Sequence, residues 1–116
     1  MKLYFTKSRK TLLVNIDGDI DHHTCEKLRI ETERALTRSG SKNVLFLFEN
    51  VSFMDSSGIG ALIGRYKVVK RLGGGIAIAG ANDVLKRIFV ISAIQSLIPT
   101  FSSKEDALEY LEGESF

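Results

Sequence analysis

The sequence predicts an α/β fold: a single domain built on a mixed, mostly parallel β-sheet, with an antiparallel N-terminal edge and about four α-helices. Three observations lead there. Two alternating segments near the N-terminus are joined by a short polar turn, as in an antiparallel hairpin. Two later runs, at 44–48 and 76–79, are continuously apolar and β-prone, which suits strands covered on both faces. Stretches with helical spacing lie between and after them, so the strands must pair in parallel through right-handed crossovers.

Taken in order, residues 3–6 and 11–16 read as the hairpin strands, with Leu12, Val14 and Ile16 on one face. From Asp21 to about Arg38, the residues Cys25, Leu28, Thr32, Ala35 and Leu36 recur at helical spacing, and Ser39-Gly40 supplies a stop. The 44–48 run then belongs near the sheet centre. A second helix begins near Ser57 with the apolar stripe Ile59, Leu62, Ile63, Tyr66 and Val69; it places Arg65, Lys67, Lys70 and Arg71 mostly on other faces and ends at Gly73-Gly74-Gly75. After the 76–79 strand, Asn82 caps a third helix carrying Val84, Leu85, Ile88 and Phe89. A short strand is expected around 97–100. Ser103-Lys104-Glu105-Asp106 opens a fourth helix with Ala107, Leu108 and Leu111.

Composition narrows the function classes. A chain of 116 residues, 44% hydrophobic and 26% charged, makes one core and leaves no room for a two-domain enzyme. Sixteen Lys and Arg against fourteen Asp and Glu give +2, which does not point to a nucleic-acid binder. Cys25, the only cysteine, forms no intramolecular disulfide and fits a reducing compartment. The first residues lack the apolar stretch of a signal peptide, and no window approaches the roughly 20 apolar residues of a membrane span. The expectation is a soluble cytoplasmic protein with no membrane partner.

The most unusual segment is Phe53-Met54-Asp55-Ser56-Ser57-Gly58-Ile59-Gly60, with adjacent hydroxyls at a strand-to-helix junction. One reading is helix capping by Asp or Ser, worth about 1 kcal/mol. A second is phosphate handling: helix N-terminal amides and the macrodipole favour an anion, bound or attached to Ser57. A nucleophilic serine would need Gly two residues before it, which neither Ser56 nor Ser57 has. Gly58, Gly60 and Gly64 mimic a dinucleotide fingerprint, but the next strand ends Ala79-Gly80-Ala81, where a ribose-binding acid should stand. Close packing of helix on sheet accounts better for Gly60 and Gly64. His22 and His23 are adjacent, so their side chains should diverge rather than share a metal. Asp17, Asp19 and Asp21 lack the following Gly and distal Glu of a calcium loop, leaving capping and a partner-facing acidic patch both open.

These residues carry a family resemblance. The run Val44-Leu45-Phe46-Leu47-Phe48, the 53–60 segment, Gly73-Gly74-Gly75 before a strand, and Gly18-Asp19-Ile20-Asp21 together resemble the STAS family across nearly the whole chain. That family comprises the anti-sigma factor antagonists and the cytoplasmic tails of sulfate transporters. Without a membrane segment, the free-standing antagonist branch is the closer fit. Glu49-Asn50 and Ser92-Ala93 depart from the family pattern; a Ser-Gly pair often closes the third helix.

The resemblance implies a single STAS domain over residues 1–116 and a non-enzymatic partner switch. The serine just before the Gly, Ser57 here, accepts phosphate from an anti-sigma factor that is also a serine kinase. The unphosphorylated form binds that kinase and frees a sporulation sigma factor, and a metal-dependent serine phosphatase resets it. No cofactor or metal of the chain's own is implied. The expected partner-binding surface is one rim comprising Asp19, Asp21, Asp55, Ser56, Ser57 and Gly58. Two alternatives stand beside this: a nucleotide-binding or nucleotide-hydrolysing protein, which would lack a P-loop, and a stressosome-type scaffold.

Overall fold

The hairpin forms as its alternation dictates: β1 (Lys2–Ser8) pairs antiparallel with β2 (Thr11–Asp17), Lys2 opposite Asp17 and Ser8 opposite Thr11. The computed structural model describes residues 1–113 and 116. Beyond the hairpin the order is α1 (Cys25–Ser39), β3 (Asn43–Asn50), α2 (Ser56–Arg71), β4 (Ile76–Ala79), α3 (Asp83–Ile91), β5 (Thr100–Phe101) and α4 (Lys104–Gly113). The five strands lie in chain order, with every pair after β1–β2 parallel. β3 is therefore central, as its uninterrupted apolar run requires.

Right-handed crossovers of one sense put successive helices on one face. Leu12, Val14, Ile16, Val44, Phe46, Phe48, Ile76 and Ile78 point to that face and pack with Leu28 and Leu36 of α1, Leu62 and Val69 of α2, and Leu85 and Phe89 of α3. On the other face Leu13, Leu45, Ala77 and Ala79 meet Ala107 and Leu111 of α4. Each helix starts where a strand ends, so the helix N-termini gather at the carboxyl rim of the parallel sheet.

Local signals set most boundaries. Gly40 closes α1 in the left-handed region at φ 67°, and its amide donates to the Leu36 carbonyl. The Asn82 side chain accepts from the Leu85 amide, and the Ser103 hydroxyl from the Asp106 amide. Regular helix in α1 starts at Cys25 rather than Asp21, because 21–24 forms a separate turn that runs into it. β5 lies later than the expected 97–100 strand, since a 3-10 turn at Ile94–Ser96 occupies the chain just before it. Ala93 starts that turn at φ 59°, in the left-handed region.

Three expectations about packing are overturned. Arg65 is buried, because α1 packs along that side of α2 and offers Glu33 at 2.8 Å from its Nη1. Val84 is half exposed, so α3 buries Leu85 and Phe89 with Ile88 partly covered. Gly60 and Gly64 face open space, with nothing within 4 Å of where a Cβ would stand; the close approach occurs at Gly58 instead. There a Cβ would fall 2.5 Å from Met54 Cγ and 2.6 Å from the Ile20 carbonyl oxygen.

Candidate functional site

The carboxyl rim is joined by two segments that would be loops if they stood alone. After β2 the chain turns at Gly18, whose amide donates to the Asn50 carbonyl, and continues alongside the segment leaving β3. The Ile20 amide donates to the Phe53 carbonyl at 3.3 Å, and the Asp55 amide to the Ile20 carbonyl at 3.3 Å, making a single parallel bridge between Ile20 and Met54. Ile20 and Met54 are fully buried, so apolar burial holds the zipper closed while its hydrogen bonds set its register.

The three acids of the rim are bound into this framework. Asp19 Oδ1 accepts from the Phe53 amide at 3.1 Å. Asp21 Oδ1 accepts from the His23 amide at 2.9 Å and from the Thr24 amide at 3.1 Å. In return the Thr24 hydroxyl accepts from the Asp21 amide and donates to the Asp19 carbonyl at 2.8 Å. This reciprocal capping closes the 21–24 turn ahead of α1. Desolvation, the largest influence on the Asp21 carboxyl, pushes its pKa up, but the hydrogen bonds from the His23 and Thr24 amides and the Thr24 hydroxyl, with the His23 charge, leave it below the ordinary value.

Asp55 caps α2: Oδ1 accepts from the Ser57 amide at 2.9 Å and the Gly58 amide at 3.2 Å. Its other oxygen, Oδ2, accepts from the His22 amide at 3.2 Å. One carboxylate thus ties the first turn of α2 to the 19–24 loop, and Gly58 lets that turn settle against Ile20 and Met54 without a clash.

Ser56 is exposed and Ser57 half-buried at the first positions of α2. Among the described residues, neither hydroxyl is engaged in a hydrogen bond, although the amides around them are taken up by Asp55. A hydroxyl at a helix start is open to accept a phosphoryl group, but the Ser57 and Gly58 amides already bind the Asp55 carboxylate, so a phosphate there gains the helix dipole without those amides.

All six residues singled out from the sequence, Asp19, Asp21, Asp55, Ser56, Ser57 and Gly58, are brought to this rim. Capping accounts for Asp21 and Asp55, and Asp19 anchors the neighbouring segment. Sequence reasoning missed Thr24, His22 and Phe53. The Asp21-x-x-Thr24 spacing carries a readable signal for the reciprocal cap; the His22 and Phe53 amide bonds cross between distant segments and leave none. The two histidine rings lie 5.4 Å apart, edge to face, closer than the divergence their adjacency suggested. Among the described residues, no group of three or more His, Cys, Asp or Glu side chains is placed to hold a metal ion, and no helix is long and apolar enough to cross a membrane.

A family profile described as the STAS domain matches residues 3–107. The anti-sigma F factor antagonist of Paenibacillus polymyxa is 33% identical over 104 residues, covering 90% of this chain and 89% of the relative. Among solved structures, the anti-sigma factor antagonist SpoIIAA in its unphosphorylated form superposes with a TM-score of 0.75 at 23% identity, over 97% of this chain and 100% of that one. The Bacillus cell fate determinant SpoIIAA in its phosphorylated form does so at 0.71 and 24%, over 94% and 98%. At these identities the two structures establish the shared fold.

Proposed function

This chain belongs to the STAS domain family, and we propose from that premise that it is an anti-sigma factor antagonist switched by phosphorylation of Ser57. In this reading the unphosphorylated chain binds an anti-sigma factor that is also a serine kinase, and so releases a sporulation sigma factor. The kinase transfers phosphate from ATP to the Ser57 hydroxyl, and a metal-dependent serine phosphatase removes it. The chain itself is the substrate and does no chemistry, and it works in the cytoplasm. The observation that carries this reading is the Ser57 hydroxyl, without a hydrogen-bond partner among the described residues, at the start of α2 and beside the 19–24 loop.

The switch needs no change of fold. A phosphoserine brings about two negative charges to a rim where Asp55 already holds the helix amides and Asp19 and Asp21 lie on the adjoining loop. Like charges meeting across an interface cost several kcal/mol, and each 1.4 kcal/mol is about tenfold in affinity. Where the kinase presents acidic groups to this rim, that repulsion suffices to release it.

Incubation with ATP and an anti-sigma serine kinase, followed by intact-mass and peptide-mapping mass spectrometry, tests the reading. One added phosphate is expected, mapped to Ser57, absent from Ser57→Ala and retained in Ser56→Ala. Ser57→Ala should still bind the kinase, and Ser57→Asp should bind at least tenfold more weakly. Equal affinities for these two variants would sink the electrostatic switch, and phosphate on the more exposed Ser56 would move the acceptor.

A further inference from the structure

The rim displays an aromatic side chain that the fold does not use. Phe53 is 48% exposed, while Val51 and Met54 on either side of it are buried. Its backbone is nevertheless held on both sides, the amide by Asp19 Oδ1 and the carbonyl by the Ile20 amide. The segment carrying Phe53 is also tied to α3: the Asn82 Nδ2 donates to the Ser52 carbonyl at 3.2 Å and the Val51 carbonyl at 3.4 Å. That brings the first turn of α3 alongside, and there Val84 is 50% exposed. An aromatic ring half exposed on a backbone held at both its amide and its carbonyl is available for a partner to cover.

We infer that Phe53, with Val84 on the helix that Asn82 ties to the 51–52 segment, is the apolar anchor by which the kinase that phosphorylates Ser57 grips this chain. The inference rests on the reading of Ser57 as the phosphate acceptor, because that reading fixes where the kinase must sit. Four Cα-to-Cα steps separate Phe53 from Ser57, which places them no more than about 15 Å apart. One side of a standard protein interface covers about 800 Å², a disc of about 16 Å radius. A kinase seated with its active site on Ser57 therefore has Phe53 within the span of a standard interface.

The chemistry of the partner follows from the two kinds of group presented. It should offer an apolar pocket for the Phe53 ring, next to a polar, uncharged surface facing Asp19 and Asp21. An aromatic ring buries about 150–250 Å², and one already held by its backbone loses little freedom on docking. Those are the properties of the few residues that dominate an interface. The acids around it, each already accepting backbone amides, set orientation more than affinity.

The test uses a purified anti-sigma serine kinase that phosphorylates the wild-type chain. Phe53→Ser and Val84→Ser are compared with wild type by calorimetric binding and by phosphorylation rate, with thermal unfolding as the control on the fold. Phe53→Ser is expected to bind at least tenfold more weakly with its melting temperature little changed, Val84→Ser several-fold more weakly, and Phe53→Leu in between. Wild-type phosphorylation at Ser57 together with near-wild-type binding of both serine variants would overturn the anchor and leave the phosphoacceptor reading intact. If Phe53→Ser proves unstable, Val84→Ser, on the open face of α3, decides alone. Failure of any such kinase to bind or phosphorylate the wild type would remove both readings together.

Discussion

Gly58 and Gly60 stand two residues apart in α2, and replacing each by alanine should have different effects on stability. At Gly60 the added methyl enters open space. The substitution then removes only the penalty of a helix-interior glycine, about 1 kcal/mol relative to alanine. At Gly58 the methyl would stand 2.5 Å from Met54 Cγ, 2.6 Å from the Ile20 oxygen and 3.0 Å from Ile20 Cγ2. Met54 can shift, but the Ile20 carbonyl cannot withdraw freely, because it accepts the Asp55 amide in the bridge that closes the rim. Overpacking of this kind costs about 1–3 kcal/mol. The helix-propensity gain is common to both substitutions, so the two variants should differ by the overpacking alone, about 1–3 kcal/mol. At roughly 4 °C per kcal/mol for a domain of this size, that is about 4–12 °C in Tm. Thermal and urea unfolding followed by circular dichroism measure it directly. A destabilised Gly60→Ala, or a Gly58→Ala as stable as Gly60→Ala, would refute the assignment of the close contact to Gly58.

Two further expectations concern stability and titration. Ala93 holds φ 59° at an exposed position, so Ala93→Gly should relieve left-handed strain and stabilise the fold by about 0.5–1 kcal/mol, read as a rise in the urea midpoint; a fall would show that the turn favours the methyl. The hydrogen bond from Arg65 is the main reason the Glu33 carboxyl titrates below its ordinary value of 4.5; desolvation opposes it, and the Arg65 and Arg29 charges add to the lowering. A carboxyl depressed in the folded state adds stability that is complete above its unfolded value and disappears as the pH falls through the folded one. Arg65→Met, which keeps the packed stem, should return Glu33 toward the ordinary value by NMR titration and move the loss of its contribution to higher pH. An unchanged Glu33 titration would assign the depression to Arg29 instead.

What the sequence determined by itself was whatever neighbouring residues decide among themselves. Strand or helix followed from the spacing of apolar side chains, and helix ends from Gly40, Asn82 and Ser103, because propensity and capping act within a few residues. The parallel sheet followed too, since strands separated by a helix can return only by a crossover. The phosphoacceptor candidate was legible because its residues are contiguous. Tertiary structure alone decided what each face meets. It buried Arg65 against Glu33, left Val84 and Phe53 in water, and gave the close contact to Gly58 rather than Gly60 or Gly64. It also turned Asp19 and Asp55 into ties between segments more than thirty residues apart. Such pairings depend on the relative placement of whole elements, which no local pattern encodes.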